Sequence, residues 1–287
     1  MGLGLKTNIS SLLAQKHLRS STTSLNQSYE RLSSGLRVNR ASDDAAGIGI
    51  AERLRSDARV ASVSMRNAND GISLIAVADG AINQIVTIFN RLLELAQQSA
   101  NAVYGPEQRS ALQSEFVALT SEVERIAVTT EFNGFKILSG GGQIAFQVGF
   151  DGSSVSELSF SGIRATLSDL GIAQLNTSLP MYSLVGETSA EAQSASRLTV
   201  DALQSAVFQL NRNRGILGAA QSRLETAIRN LGVQRENFQS TEAGIMDVDA
   251  AEESANLTRL QTLQQAGTAI LAQANLQPRT VLDLLRD

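Results

Sequence analysis

The chain has no cysteine and no tryptophan, a single histidine and only three prolines among its 287 residues. Without cysteine there is no disulfide, no thiolate metal site and no cysteine nucleophile. With His17 as the sole imidazole, neither a Ser-His-Asp or Cys-His set nor an HExxH zinc helix can be assembled. Aromatic residues are 4% of the chain although hydrophobic residues are 43%. That balance suits thin helical bundles, whose narrow seams are filled by small and aliphatic side chains. The formal net charge of −4 supplies no global basic surface for nucleic acid. No run approaches the roughly 18 apolar residues of a membrane span, so neither nucleic acid nor membrane is expected as a partner. The opening Met1-Gly2-Leu3-Gly4-Leu5-Lys6-Thr7 has too short an apolar stretch for a cleavable secretory signal. If the protein leaves the cell, another route takes it.

Charge is unevenly placed. Residues 1–40 carry Lys6, Lys16, Arg19, Arg31, Arg37 and Arg40 against Glu30, a net +5. Residues 240–287 carry seven carboxylates against Arg259, Arg279 and Arg286, a net −4. Opposite signs favour a meeting of the ends, within a molecule or between copies.

The prolines, Pro106, Pro180 and Pro278, all fall at punctuation, and helix can run between them. Steps of four and three from Leu54 reach Ala58, Ala61, Met65, Ala68, Ile72, Ile75, Asp79, Ile82, Val86, Phe89, Leu93 and Ala96. Only Asp79 breaks this seam, which predicts one long bundle helix. A turn at Asn101–Pro106 leads to a second helix with Leu112, Phe116, Leu119, Val123 and Ile126, and so short a connection makes the two antiparallel neighbours. A third seam runs through Val200, Leu203, Val207, Leu210, Arg214, Leu217, Gln221, Leu224, Ile228 and Leu231. Its polar members Arg214 and Gln221 read as register-setting or snorkelling residues.

Residues 130–188 differ in texture, holding nine of the 22 glycines and five of the nine phenylalanines. Ile144–Val148 and Val155–Phe160 read as short strands joined by a turn over Gly149–Ser154. At the N-terminal end, Leu18, Thr22, Leu25, Tyr29 and Leu32 form a helical face diluted by serine, too thin to stand without a partner. Residues 250–275 offer one through Leu257, Leu260, Leu263, Ile270, Leu271 and Ala274. Val281-Leu282-Asp283-Leu284-Leu285 is apolar enough to need a cover. The fold class is therefore mainly α: a long antiparallel helical bundle or coiled coil with paired N- and C-terminal helices and a small β-hairpin insertion.

Residues resembling chemical sites have plainer readings. Asp43-Asp44 and Asp247-Val248-Asp249 flank helix boundaries, where carboxylates cap free N–H groups, and capping is favoured over metal binding. Gly140-Gly141-Gly142 lacks the GK[ST] of a phosphate loop and reads as a flexible loop. Asn176-Thr177-Ser178 fits a glycosylation sequon, a pattern short enough to recur by chance. No catalytic, cofactor or metal site is expected, and the chain reads as a structural protein rather than an enzyme.

Several longer runs are specific. Arg31-Leu32-Ser33-Ser34-Gly35-Leu36-Arg37-Val38-Asn39, Ala41-Ser42-Asp43-Asp44-Ala45-Ala46-Gly47, Asn67–Ser73, Glu94–Asn101 and Phe132-Asn133-Gly134 resemble the N-terminal region of bacterial flagellins. Asp247–Glu253, Leu271–Asn275 and Val281–Arg286 resemble their C-terminal region. The likeness covers about four fifths of the chain, at both ends and in order. It departs at Leu93, where flagellins usually carry arginine, and at Ala243-Gly244-Ile245, where Ser-Arg-Ile is common. Asp287 lies beyond the usual terminal arginine, and the middle is short.

The resemblance implies an inner, filament-core domain from residues 1–42 and 240–287. It implies a helical-bundle domain from 43–130 and 189–239, to which a β-rich insertion at 131–188 belongs. It implies a subunit that polymerises with copies of itself, and with other flagellins where present, into an extracellular filament for motility. Hook-associated and cap proteins, and an export chaperone at the C-terminus, are the implied further partners. Export follows the flagellar type III route, without a cleaved signal peptide. Expected assembly residues are Leu18, Leu25 and Leu32 on one terminal helix and Leu257, Leu260, Leu263, Ile270, Leu284 and Leu285 on the other. Arg91, Leu95 and Glu115 match positions through which similar flagellins engage the vertebrate innate receptor for flagellin. Arg91 and Leu95, four apart and off the seam, are expected to share an exposed face. The alternative within the same machinery is the hook–filament junction protein.

Overall fold

The computed structural model describes residues 7–140, 142–173 and 181–284, with side chains in the last helix described as far as Leu276. The element order is α1 (Ile9–Ser34), α2 (Ala45–Ser99), α3 (Pro106–Thr129), β1 (Glu131–Phe132), β2 (Phe135–Lys136), β3 (Ile144–Gln147), β4 (Glu157–Phe160), α4 (Ser189–Met246) and α5 (Ala250–Leu284). The chain divides into two compact units, one of residues 1–58 and 236–287, the other of residues 59–235. Leu285, Asn176-Thr177-Ser178 and Pro180 lie outside the described residues, as do the side chains of Val281, Leu282 and Leu284.

Helix ends follow the local chemistry. Asn8 Oδ1 accepts the Ser11 N–H at 3.0 Å to start α1, and Gly35, at φ 73°, ends it with its N–H on Arg31 O. That left-handed position is one that glycine adopts without strain. Asp44 Oδ1 accepts from Gly47 N at 2.8 Å ahead of α2, and Asp249 Oδ1 accepts from Ala251 N at 2.9 Å and Glu252 N at 3.2 Å ahead of α5. Two of the paired acidic residues thus act as caps. α3 begins with Pro106 at its first position, where the missing N–H is not needed. A reciprocal Thr188–Glu191 pair opens α4, with Thr188 N donating to Glu191 Oε2 at 3.1 Å and Glu191 N to Thr188 Oγ1 at 3.3 Å. This is a capping box.

In the larger unit α2 runs antiparallel to both α3 and α4. Arg91 of α2 meets Glu115 of α3, while Asp79 of α2 meets Arg214 of α4 and Ser99 meets Ser196. The buried line of α2 is Ala68, Gly71, Ile75, Ala78, Ile82, Ile85, Phe89, Leu92, Ala96 and Ser99. Alternate members coincide with the predicted seam. The others sit one residue earlier, and Ile72, Asp79, Val86 and Leu93 are half-buried. α2 packs on more than one neighbour, which widens its buried face beyond a two-position stripe.

One 18-residue window of α2 has a mean hydropathy of 1.7, long and apolar enough to cross a membrane by length and composition. Of that window 33% is buried, and Leu74, Ile75, Ile82 and Ile85 of this helix lie in the bundle core.

Two hairpins occupy the insertion. β3 and β4 pair antiparallel with Ile144 opposite Phe160 and Gln147 opposite Glu157, and the Phe146 and Phe160 rings stack at 6.3 Å. β1 and β2 pair around Asn133-Gly134, whose φ values of 51° and 78° suit the tight turn that favours Asn-Gly. The loops contribute as much core as the strands. Leu138, Leu167, Ile172 and Leu184 are fully covered, and helix side chains satisfy their backbone: Glu124 accepts from Leu167 N at 2.9 Å, Gln113 from Leu184 N at 2.7 Å, and Ser99 donates to Leu184 O at 3.0 Å.

Candidate assembly surfaces on the terminal helices

In the smaller unit α1 and α5 lie side by side and antiparallel. Asn8 Nδ2 donates to Ala274 O at 2.7 Å and Ser11 Oγ to Asn275 Oδ1 at 2.8 Å. Further along, Gln261 Nε2 donates to Tyr29 OH at 2.8 Å, and Ser28 Oγ donates to the Glu253 carboxylate, both residues being buried. Small residues allow the approach: a Cβ added at Gly267 would lie 3.3 Å from Leu18 Cδ1.

A short bridge locks the far end. Arg37 N donates to Met246 O at 2.6 Å and Val248 N to Gly35 O at 3.0 Å, and the Arg37 guanidinium reaches Ile245 O at 2.7 Å. Beneath it Val38, Ala51 and Met246 form a small core with Leu36, Ile48 and Ile245. Arg55 meets Glu242 at 2.7 Å, and that hydrogen bond and charge raise the arginine's pKa.

The predicted assembly residues fall into two groups. Leu25 is buried, and Leu18, Leu32, Leu257, Leu260 and Leu271 are half-buried. Leu263 and Ile270 are 51% and 61% exposed, as is Leu276 at 48%. On α1, Ile9, Leu12 and Leu13 are exposed at 64%, 54% and 52%, a line the sequence reading missed because it followed only the Leu18–Leu25–Leu32 face. α1 and α5 therefore satisfy one face each and leave a second apolar line uncovered. His17 is exposed on α1, and among the described residues no cluster of three or more His, Cys, Asp or Glu is placed to hold a metal.

Arg91, Leu95 and Glu115, in the larger unit, do not form the expected exposed face. Arg91 donates to Glu115 Oε1 at 2.8 Å and to Glu94 Oε2 at 2.9 Å on the surface, which raises the arginine's pKa, through Glu94 first and Glu115 second. Leu95 is fully buried. The widened core face of α2 takes in Leu95 beside Leu92 and Ala96, so four-residue spacing from Arg91 does not bring it to the surface.

A protein assigned as flagellar hook-associated, from Vibrio parahaemolyticus, has a TM-score of 0.58 over 71% of this chain and 100% of that one, and at 10% identity it shares the fold alone. Residues 5–143 match the bacterial flagellin N-terminal helical region, and residues 200–285 match the bacterial flagellin C-terminal helical region. A flagellin of Halalkalibacterium halodurans is 38% identical over 280 residues, covering 97% of this chain and 98% of that protein. The flagellar filament 33 kDa core protein of Treponema phagedenis is 36% identical over 286 residues, with 97% and 98% covered. Two terminal helical regions in the order and spacing of these relatives, matched along nearly the whole chain, place this protein in the bacterial flagellin family.

Proposed function

We propose that the chain is a non-catalytic structural subunit that polymerises with its own copies into an extracellular flagellar filament, and that the outer lines of α1 and α5 are the surfaces it assembles through. The observation behind this reading is the second apolar line left after α1 and α5 have paired, Leu263, Ile270 and Leu276 on one helix and Ile9, Leu12 and Leu13 on the other. Covering the exposed halves of the α5 residues contributes about 1 kcal/mol each, and the gain repeats at every subunit. Leu18, Leu25, Leu32, Leu257 and Leu260 hold the pair that presents these lines. Leu284 and Leu285 extend the apolar sequence to the C-terminus, where an export chaperone is the expected binder before assembly. Hook-associated and cap proteins are the partners at the two ends of the filament, and type III export without a cleaved signal delivers the subunit.

Seeded elongation tests this. Wild-type monomer should extend preformed seeds into long uniform filaments, and the double variant Leu263→Asp, Ile270→Asp should stay monomeric with unchanged far-UV circular dichroism. Growth of the variant at the wild-type rate would remove α5 from the assembly surface. Wild-type growth that stops at a short stub would point to the junction protein instead. The Arg91–Glu115 pair is the part of the receptor reading that lies on the surface, and Leu95 lies in the core.

A further inference from the structure

The two charged ends are opposite in sign, yet the structure leaves their strongest patches unspent. Arg31 reaches Glu253 only at 4.0 Å. Arg40 pairs with Glu30 of its own segment, Glu242 with Arg55 of α2, and Arg37 with a backbone carbonyl. What remains on α1 is Lys16 and Arg19, exposed and, among the described residues, without an ion-pair partner. They edge an open groove of ≈ 490 Å³ whose other lining is Leu12, Gln15, Ser20, Thr23 and Ser24. What remains at the start of α5 is Asp247 and Glu252, exposed and likewise unpaired among the described residues, with the Asp249 cap between them.

These patches cannot meet within one molecule. Ser28 is level with Glu253 and Leu18 with Gly267. At least ten residues of helix, roughly 15 Å at 1.5 Å per residue, separate Arg19 from the level of Glu252, well beyond the reach of an arginine side chain. Charge complementarity therefore has one occupant to satisfy it that the molecule itself supplies.

We infer that the Lys16–Arg19 groove on α1 docks the acidic Asp247–Glu252 turn of a second copy of this chain. The inference rests on the filament reading and adds to it an ionic, direction-setting contact. The apolar lines of α1 and α5 are non-directional, whereas a basic groove that accepts only an acidic turn fixes which neighbour sits where and rejects the mirror pairing of like patches.

Complementary charge swaps test it on full-length protein with wild-type seeds. One variant carries Lys16→Glu and Arg19→Glu, the other Asp247→Lys and Glu252→Lys, with the Asp249 cap untouched. Each alone should elongate about tenfold more slowly than wild type at low salt, as two lost ion pairs and like-charge contact imply. An equimolar mixture should recover to within about threefold of wild type, because every basic turn then finds an acidic groove on the other variant. Recovery in the chain carrying all four changes but not in the mixture would make the contact intramolecular and overturn the inference. Single variants that elongate at the wild-type rate would overturn it as well. Failure of wild-type protein to elongate would instead sink the filament reading, and the two failures are thus distinct. Circular dichroism of each variant monomer confirms its helices, and a fall in wild-type elongation rate with added salt gives a readout free of mutation. A salt-independent rate counts against the ionic contact.

Discussion

Replacing Arg109 should separate what a buried cation does from what its volume does. The side chain is 2% exposed. Its Nη1 donates to Ser189 O at 3.1 Å and Ser189 Oγ at 3.4 Å, and its Nη2 to Asn101 O at 3.1 Å. One guanidinium thereby ties the α2–α3 turn to the first residue of α4. Its Nε is buried without a partner, so part of the gain is cancelled by incomplete satisfaction. Two charge-assisted bonds to carbonyls are worth roughly 3–4 kcal/mol together, against about 2 kcal/mol for the unmet donor. Arg109→Met keeps most of the volume and removes both sides of that balance, and the freed carbonyls belong to exposed residues that water can reach. The expected cost is ~1–2 kcal/mol. Arg109→Lys keeps a buried charge with three donors that cannot span both carbonyls, and should cost more, ~2–3 kcal/mol. Arg109→Ala adds a cavity and should cost ~3–4 kcal/mol.

Urea unfolding of the monomer followed by circular dichroism gives this order, Met mildest and Ala worst. Hydrogen exchange at the amides that open α4 should quicken in all three. A lysine variant more stable than the methionine variant would show that charge, not shape, holds the turn, and would refute the balance drawn here. Three variants within ~0.5 kcal/mol of wild type would refute the clasp itself.

Three further outcomes follow from the larger unit. Gly71→Val should destabilise by ~1–3 kcal/mol, read as a lower urea midpoint, because its Cβ would sit 3.1 Å from Leu224 Cδ1 and 3.3 Å from the Phe146 ring. A double-mutant cycle on Asp79 and Arg214, paired at 2.8 Å with side chains 42% and 37% exposed, should return a coupling of ~0.5–1 kcal/mol that shrinks in high salt; a coupling above ~2 kcal/mol would mean that solvent does not screen the pair. Leu95→Ala should cost ~3 kcal/mol in unfolding experiments while Arg91→Ala stays within ~0.5 kcal/mol, so reduced receptor activation by a Leu95 variant is interpretable only after its stability has been measured.

Helices were legible in the sequence because their apolar spacing and their caps agree. Stepping through α2 from Leu54 finds Ala68, Ile75, Ile82, Phe89 and Ala96, all buried. At one of its misses the stepping takes the larger apolar residue, Ile72 over Gly71. Gly71 is buried because Phe146, from a hairpin over seventy residues away, lies across it. No local pattern carries that information, since a glycine in a helix ordinarily marks a weak point rather than a packing site. Polar residues divide in the same way. Asp79 and Arg214 stand out as breaks in two separate seams, and the structure shows that each break is the other's partner, an outcome that antiparallel pairing of two seams permits and a single helix cannot reveal. Ser99 and Ser196 are buried and bonded to each other at 3.0 Å, yet serine is too common in this chain to signal it. Insertion loops follow suit: Leu167 and Leu184 are core residues because Glu124 and Gln113, on a helix far away in sequence, satisfy their backbone N–H groups.

The terminal helices invert this relation between pattern and partner. Their apolar residues were visible, but the hydrogen-bonding polar groups decide which face pairs within the molecule. Asn8, Ser11, Ser28 and Tyr29 bind α5, and that fixes the rotation of both helices. Leu263 and Ile270 are turned outward as a consequence. A face composed wholly of leucine would have paired in several rotations at similar energy. Buried serine and glutamate tolerate far fewer, because a misplaced rotation leaves them without partners. The serine that dilutes α1 therefore weakens the pair and specifies it at the same time. The two effects leave a pair that is weak but unique, with a second apolar line on each helix still uncovered.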